Sequence, residues 1–449
     1  MISPASIPSA AAVNSSGIRR VVLGFAVTLA MITYIDRVCI SQAAPFIQKE
    51  LGLSDWQMGL AFSAFAWAYA IFEIPTGWLG DLTGPRLVLL RVVILWSVFT
   101  AATGLTTGVI SLVLTRFFFG MGEAGCFPNL TKAFTLWLPG HEHTRAQGIT
   151  WLSARWAGAF TPLLVIAIMS WVSWRTAFVL FAVVGLIWAV LFQKFFPKEH
   201  PAPDTRLSKL SDASSNPMPL EIPWRGLLAS RTVWLLWAQY FCLTYGWFFY
   251  VTWLPTYLRE TRGLQLDQNA FMSWAGKIAR EFLTPETTQK VLVALLAGVP
   301  LFLGGLGAIL SGSITPYLAQ RLGSLATTRR ILALIGFGGA ALLLVFSFYI
   351  KDPLWAMLAM GLASFCNDLT MPGSWTTCMD VGASFAGTLS GSMNMMGSIA
   401  AAASSLLTGI VLHATGRNWM VTFWISGIVY LIGGICWLWL NPVTPIERE

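Results

Sequence analysis

Long apolar runs separated by short polar breaks fill this chain from residue 21 to residue 440. About 20 consecutive apolar residues carry a helix through the hydrocarbon core of a bilayer. No water reaches that depth, so a spanning segment must satisfy its own backbone N–H and C=O groups. A helix does this and an isolated strand does not. The runs predict spans at 21–45, 55–79, 86–107, 109–137, 146–171, 174–196, 231–258, 290–318, 328–350, 353–378, 385–413 and 418–440. Composition agrees: 11% of the 449 residues are charged, 56% are hydrophobic, and the mean hydropathy is +0.67. A soluble domain carries about 25% charged residues. The expected fold is all-α, with 12 transmembrane helices.

The longest polar gap, 197–230, contains Pro197, Pro201, Pro203, Ser214, Ser215, Pro217 and Pro223. That is the composition of a flexible linker between two six-helix bundles. The expected organisation is a tail at 1–18, a bundle at 19–196, the linker at 197–230, a second bundle at 231–441 and a tail at 442–449. Arg19 and Arg20 precede an apolar run too long, and too well followed by others, for a cleaved signal peptide. Fifteen Lys and Arg residues, from Arg19 and Arg20 through Arg86 and Arg145 to Arg329, Arg330 and Arg448, fall on one side. The opposite short loops hold only Lys49, Arg175, Lys351 and Arg417. The positive-inside rule therefore places both termini and the linker in the cytoplasm of a multi-pass inner (plasma) membrane protein. The extracytoplasmic loop 259–290 sets Arg259, Arg262, Lys277, Arg280 and Lys290 against Glu260, Asp267, Glu281 and Glu286, and long loops obey the rule poorly. Its 268–283 stretch reads as a short interfacial helix with Phe271, Trp274, Ile278 and Phe282 on one side.

Several function classes are excluded. A net charge of +8 suggests nucleic acid, but the basic residues lie mainly in short loops between spans, so no nucleic-acid partner is expected. The six cysteines lie in or beside apolar runs without metal-ligand spacing, which argues against a disulfide framework or zinc site. No GxxxxGK[ST] loop is present to drive transport with ATP. No catalytic constellation is evident and no cofactor is implied. The expected partners are the lipid bilayer, protons and a small organic anion, with the chain acting as a monomer.

Charged residues inside the spans carry the functional argument, because an arginine at the bilayer centre costs at least about 2.5–3.5 kcal/mol. The candidates are Asp36, Arg37, Glu73, Arg116, Glu123, Arg155 and Asp368. Arg37 shares a helix face with Tyr34, three residues earlier, and its fork of donors matches a carboxylate. Asp36, about 100° around the helix, faces a neighbour such as span four, either titrating or fixed to Arg116. Arg116 and Glu123 share a face but lie about 10 Å apart along the axis. Glu123, among Gly120, Gly122 and Gly125, is either a proton carrier or half of a permanent ion pair. Tyr69 and Glu73 share a face of span two. Arg155 either contacts an anion, implying a more highly charged substrate such as a dicarboxylate, or neutralises Glu73. In the second half the polar cavity candidates are Tyr245, Tyr250, Asn367, Asp368, Ser374, Trp375 and Asn394, and Asp368 finds no intramembrane cation within its half. Gly387, Gly391 and Gly397 read as close-packing positions.

The loop after span two reads Gly77-Trp78-Leu79-Gly80-Asp81-Leu82-Thr83-Gly84-Pro85-Arg86. It resembles the loop 2–3 signature of the major facilitator superfamily at Gly77, Leu79, Asp81, Gly84 and Arg86, while Leu82 replaces the usual base. Tyr34-Ile35-Asp36-Arg37, Arg116 to Gly125, Trp253-Leu254-Pro255 and Ala386 to Gly391 with Asn394 are together similar to its anion:cation symporter branch. The resemblance implies a proton site at Asp36, an anion contact at Arg37, a substrate contact at Asn394 and an inter-half latch at Asp81. The branch usually carries glutamine at Glu73 and a neutral polar residue at Arg155. The antiporter glycine pattern of span five is incomplete, with Gly158 and Pro162 only. The expected function is proton-coupled symport of a sugar acid or other carboxylate by alternating access. Arg37, Tyr34, Tyr69 and Asn394 would hold it, Arg155 would add a contact, Asp36 and Glu123 would carry protons, and Arg116 would relay between them. An exporter of amphipathic compounds would instead have a roomy apolar cavity indifferent to Arg37. A non-transporting sensor would need a larger soluble domain than these loops provide.

Overall fold

The computed structural model describes residues 10–198, 224–257 and 285–446. They form α1 (Ala10–Leu51), α2 (Asp55–Thr83), α3 (Pro85–Gly104), α4 (Val109–Glu123), α5 (Cys126–Trp137), α6 (His143–Met169) and α7 (Trp174–Phe195). After the short α8 (Trp224–Ala229) come α9 (Arg231–Tyr257), α10 (Pro285–Leu322), α11 (Leu325–Tyr349), α12 (Pro353–Gly382), α13 (Ala386–Ala414) and α14 (Trp419–Trp439). Small polar side chains start several of them. Ser54 closes a capping box with Gln57 at α2, and Asp352 accepts from the Leu354 and Trp355 amides at α12. Each satisfies donors that the first helical turn leaves unpaired.

Ten described stretches are long and apolar enough to cross a membrane, one of them containing both α12 and α13. With α9 the spans number twelve, α4 and α5 together making the fourth. Leu342 (73% exposed) and Leu406 (65%) typify side chains turned outward, where only lipid makes such exposure cheap. Two departures from the predicted spans matter. The fourth is broken at Ala124-Gly125, where Gly125 takes φ +84°. The first begins at Ala10, inside the predicted tail. The predicted interfacial helix at 268–283 lies outside the described residues.

The two halves repeat one pairing. In the first, α1 packs on α6, α2 on α4 and α3 on α7; in the second, α9 packs on α13, α10 on α12 and α11 on α14. Two seams join the halves, α2 against α13 and α6 against α10. Glycines bring backbones together there. A methyl group on Gly391 would stand 2.6 Å from the Glu73 carbonyl, and one on Gly148 2.7 Å from that of Ala308. Gly77 faces Gly387 with similar closeness. This is the small-residue packing of membrane helices.

Candidate functional site

Between the halves lies a cavity of about 330 Å³. Four helices each give it a stripe at i, i+3, i+4 and i+7: Tyr34, Arg37, Val38 and Ser41 on α1; Phe62, Phe65, Ala66 and Tyr69 on α2; Tyr240, Leu243, Thr244 and Trp247 on α9; Asn394, Gly397, Ser398 and Ala401 on α13. Arg155 and Asn367 complete the polar wall. Of the predicted substrate contacts, Tyr34, Arg37, Tyr69, Arg155 and Asn394 all meet here. Tyr245 and Ser374 do not line it, Ser374 bonding instead to Gln239 at 3.1 Å. The Tyr250 side chain lies outside the described residues. Gly397 both lines the cavity and packs on Tyr240.

Arg37 is the exposed cation of this wall, its side chain one quarter open. Its Nε donates to Glu123 Oε1, and its guanidinium carbon lies 4.4 Å from the Tyr69 ring centroid and 5.9 Å from that of Tyr34. Glu123 is wholly buried and ends α4 just before the break. Asp36 does not line the cavity, and among the described residues neither of its oxygens has a hydrogen-bond partner. The alternative that fixed Asp36 to Arg116 is therefore not met, although Arg116 lies within its electrostatic reach. Arg116 makes no ion pair within 4 Å among the described residues. It rests on Phe119 (4.4 Å) and Phe65 (5.1 Å).

Polar side chains reach across between the halves at cavity level. Arg155 pairs not with Glu73 but with Asp368, as a two-point bridge of 2.6 Å (Nε–Oδ2) and 3.0 Å (Nη2–Oδ1). Asp368 thus finds its cation in the other half, which spacing along α12 could not reveal. Glu73 accepts from Asn394 Nδ2 at 2.8 Å, and the same amide donates to the Tyr69 hydroxyl at 3.0 Å. Tyr69 and Glu73, four residues apart, share one partner as their common face implies.

Below the cavity, Phe127 and Trp151 stack at 4.8 Å, and Trp375 packs on both, at 6.1 and 5.4 Å. This aromatic floor joins the halves. Beyond it, Asp81 accepts from the backbone amides of Gly387 (3.0 Å) and Thr388 (2.6 Å) and from the Thr388 hydroxyl (2.7 Å). Lys132 sits 3.0 Å from Asp81 and donates to Ser384 O at 2.5 Å. Asp81 so caps the N-terminus of α13 from the opposite half, where unpaired amides and the helix dipole favour an anion. Gly84, at φ +86°, turns the chain into α3, and Arg86 Nη2 donates to Gln193 O at 2.9 Å. The Asp81 end of the molecule is shut.

Sequence reasoning missed Tyr240, Trp247 and Lys132. The i, i+4, i+7 spacing of Tyr240, Thr244 and Trp247 was the available signal for the first two. Lys132 lies in a polar-looking turn of span four and gave none.

The Major Facilitator Superfamily domain matches residues 26–405. The chain is 35% identical to a probable sulfoacetate transporter of Cupriavidus necator, over 96% of this chain and 95% of that protein. It is 30% identical to a hexuronate transporter of Bacillus subtilis, over 90% and 89%. It is 27% identical to a probable galactarate/D-glucarate transporter of the same bacterium, over 86% and 84%.

Proposed function

Because the chain belongs to the major facilitator superfamily and is a transporter rather than an enzyme, we propose that it takes up a small organic anion together with protons. The two halves would alternate access to the cavity, and the shut Asp81 end would be the cytoplasmic side. On this reading residues 19–196 and 231–441 are the moving bundles, 197–230 the linker, and the tails at 1–18 and 442–449 cytoplasmic.

The observation that carries the proposal is Arg37, a partly open guanidinium in a buried wall beside Tyr34, Tyr69 and Asn394. It suits a carboxylate or sulfonate head group, and the relatives named for sulfoacetate, hexuronate and glucarate carry such acids. Charge supports proton coupling. Around the cavity four acids (Asp36, Glu73, Glu123 and Asp368) face three guanidiniums (Arg37, Arg116 and Arg155). Fully ionised, they leave one excess negative charge, and an incoming anion adds to it. Buried charge without a partner is costly, so protons on the acids would accompany the cargo. Glu123, held by Arg37, and the buried Asp36 are the proposed carriers, with Arg116 coupling them.

The test is uptake of radiolabelled D-glucarate, a hexuronate and sulfoacetate into proteoliposomes alkaline inside. Accumulation should follow the pH gradient and collapse with a protonophore. Glu123→Gln should abolish accumulation while leaving exchange of anion across the membrane. Gradient-driven accumulation that survives Glu123→Gln would remove the coupling assignment.

A further inference from the structure

Arg155 and Asp368 form a buried pair, their side chains 1% and 0% exposed. Such a pair recovers little beyond the cost of desolvating its ions, and apolar residues of the same volume often serve stability as well. Holding the halves together does not by itself account for it. Its geometry offers another reason. Asp368 occupies the Nε and Nη2 edge of the guanidinium from behind the cavity wall, and Asn367 donates to the same carboxylate at 2.8 Å. The guanidinium lies 4.0 Å from the ring centroid of Trp247. What remains is Nη1, which meets the hydroxyl of the cavity-lining Tyr34 at 3.2 Å. The ring of that tyrosine is also the one beside Arg37. Two guanidiniums therefore border one cavity, a single phenol side chain apart, each paired with a carboxylate: Glu123 for Arg37 and Asp368 for Arg155.

We propose that Arg155 Nη1 and the Tyr34 hydroxyl form a second anion subsite, and that the cargo is a short two-headed acid. One acid group lies on Arg37 and the other on Arg155. This rests on the organic-anion reading above and narrows it. Asp368 is a positioning residue: it orients Arg155 and balances its charge while the site is empty. A single-headed acid of the same skeleton leaves Nη1 with Tyr34 alone and forgoes a charge-assisted hydrogen bond, worth about tenfold or more in affinity.

The experiment is calorimetric binding to the full-length purified protein with matched pairs: D-glucarate against D-gluconate, sulfoacetate against methanesulfonate, and succinate against butyrate. In at least one pair the two-headed acid should bind about tenfold more tightly or better. Arg155→Gln should reduce that ratio at least about fivefold, a readout that a purely structural role would not move. Should Arg155→Gln fail to fold because Asp368 is stranded, the double variant Arg155→Gln/Asp368→Asn removes both charges at nearly constant volume and carries the same test. A ratio near one in every pair, or a ratio that neither variant changes, overturns the second subsite. If Arg37→Gln abolishes binding while those ratios sit near one, only the two-headed cargo fails. If Arg37→Gln also leaves anion binding untouched, the organic-anion reading falls with it.

Discussion

Arg37 combines a charge, a fork and a flat face, and the cavity uses all three. Its Nε serves Glu123, and its plane lies near Tyr69. Lysine keeps the charge but neither the fork nor the plane. Arg37→Lys is expected to weaken anion binding by about 1.5–3 kcal/mol, or about tenfold to a hundredfold, measured by calorimetry. Asn394 holds two groups of the opposite half with one amide. Asn394→Ala should strand Glu73 and lower stability by about 1–3 kcal/mol, read as a fall in Tm of the detergent-purified protein. On the proposed coupling, uptake rises as the outside is acidified, because carboxyls facing outward load more readily. The Glu123→Gln profile should lose that rise over the same pH range. Apart from Lys132, the charged residues of the site were legible in the sequence, since a charge in hydrocarbon is too costly to be casual. Their partners were not. Spacing along a helix reports which residues share a face of that helix, and so Glu73 was one of two alternatives for Arg155, the other being an anion, whereas Asp368 and Asn394 reach across from the other half.

The break between α4 and α5 decides where Glu123 sits. Gly125 has φ +84°, and a methyl group there would collide with Thr76. A left-handed residue costs a non-glycine about 1–2 kcal/mol before any clash. Gly125→Ala should therefore lower Tm and, by displacing Glu123, remove transport more completely than the stability loss accounts for. Measuring uptake at equal amounts of folded protein separates the two effects. The break was hidden because apolar runs with scattered glycines also occur in unbroken membrane helices, where neighbouring helices re-satisfy the backbone. The other element boundaries were more legible: Ser54, Ser173, Ser324, Asp352 and Asn418 each accept from an amide of the helix they begin. The four cavity stripes are helical periodicity seen from inside. Those on α1 and α2 were read from Tyr34, Arg37 and Tyr69, while on α9, without a charge to mark the stripe, Tyr245 and Tyr250 were named in place of Tyr240, Thr244 and Trp247.

For the molecule as a whole, the pairing of helices repeats between halves but the latch does not. Asp81 caps α13 across the seam, whereas the corresponding stretch of the second half, Gly312 to Leu318, has no acid and meets α6 through backbone at Thr144 and Arg145. One charged side chain thus biases the Asp81 end toward closure. Asp81→Asn should release it, because a neutral amide is a weaker acceptor for three donors and loses its attraction to Lys132. The expected result is a shift of about tenfold or more toward molecules open at that end, seen as longer distances between spin labels at Thr83 and Ser384. By itself the sequence determined the twelve spans, the division into halves and most of the buried charge, Lys132 excepted, because hydrocarbon permits few backbone solutions and tolerates charge only for a purpose. Only the tertiary structure decided which charge meets which, that the fourth span bends at Glu123, and which end is shut. Those depend on contacts between helices far apart in the chain, and no periodicity along a single helix encodes them.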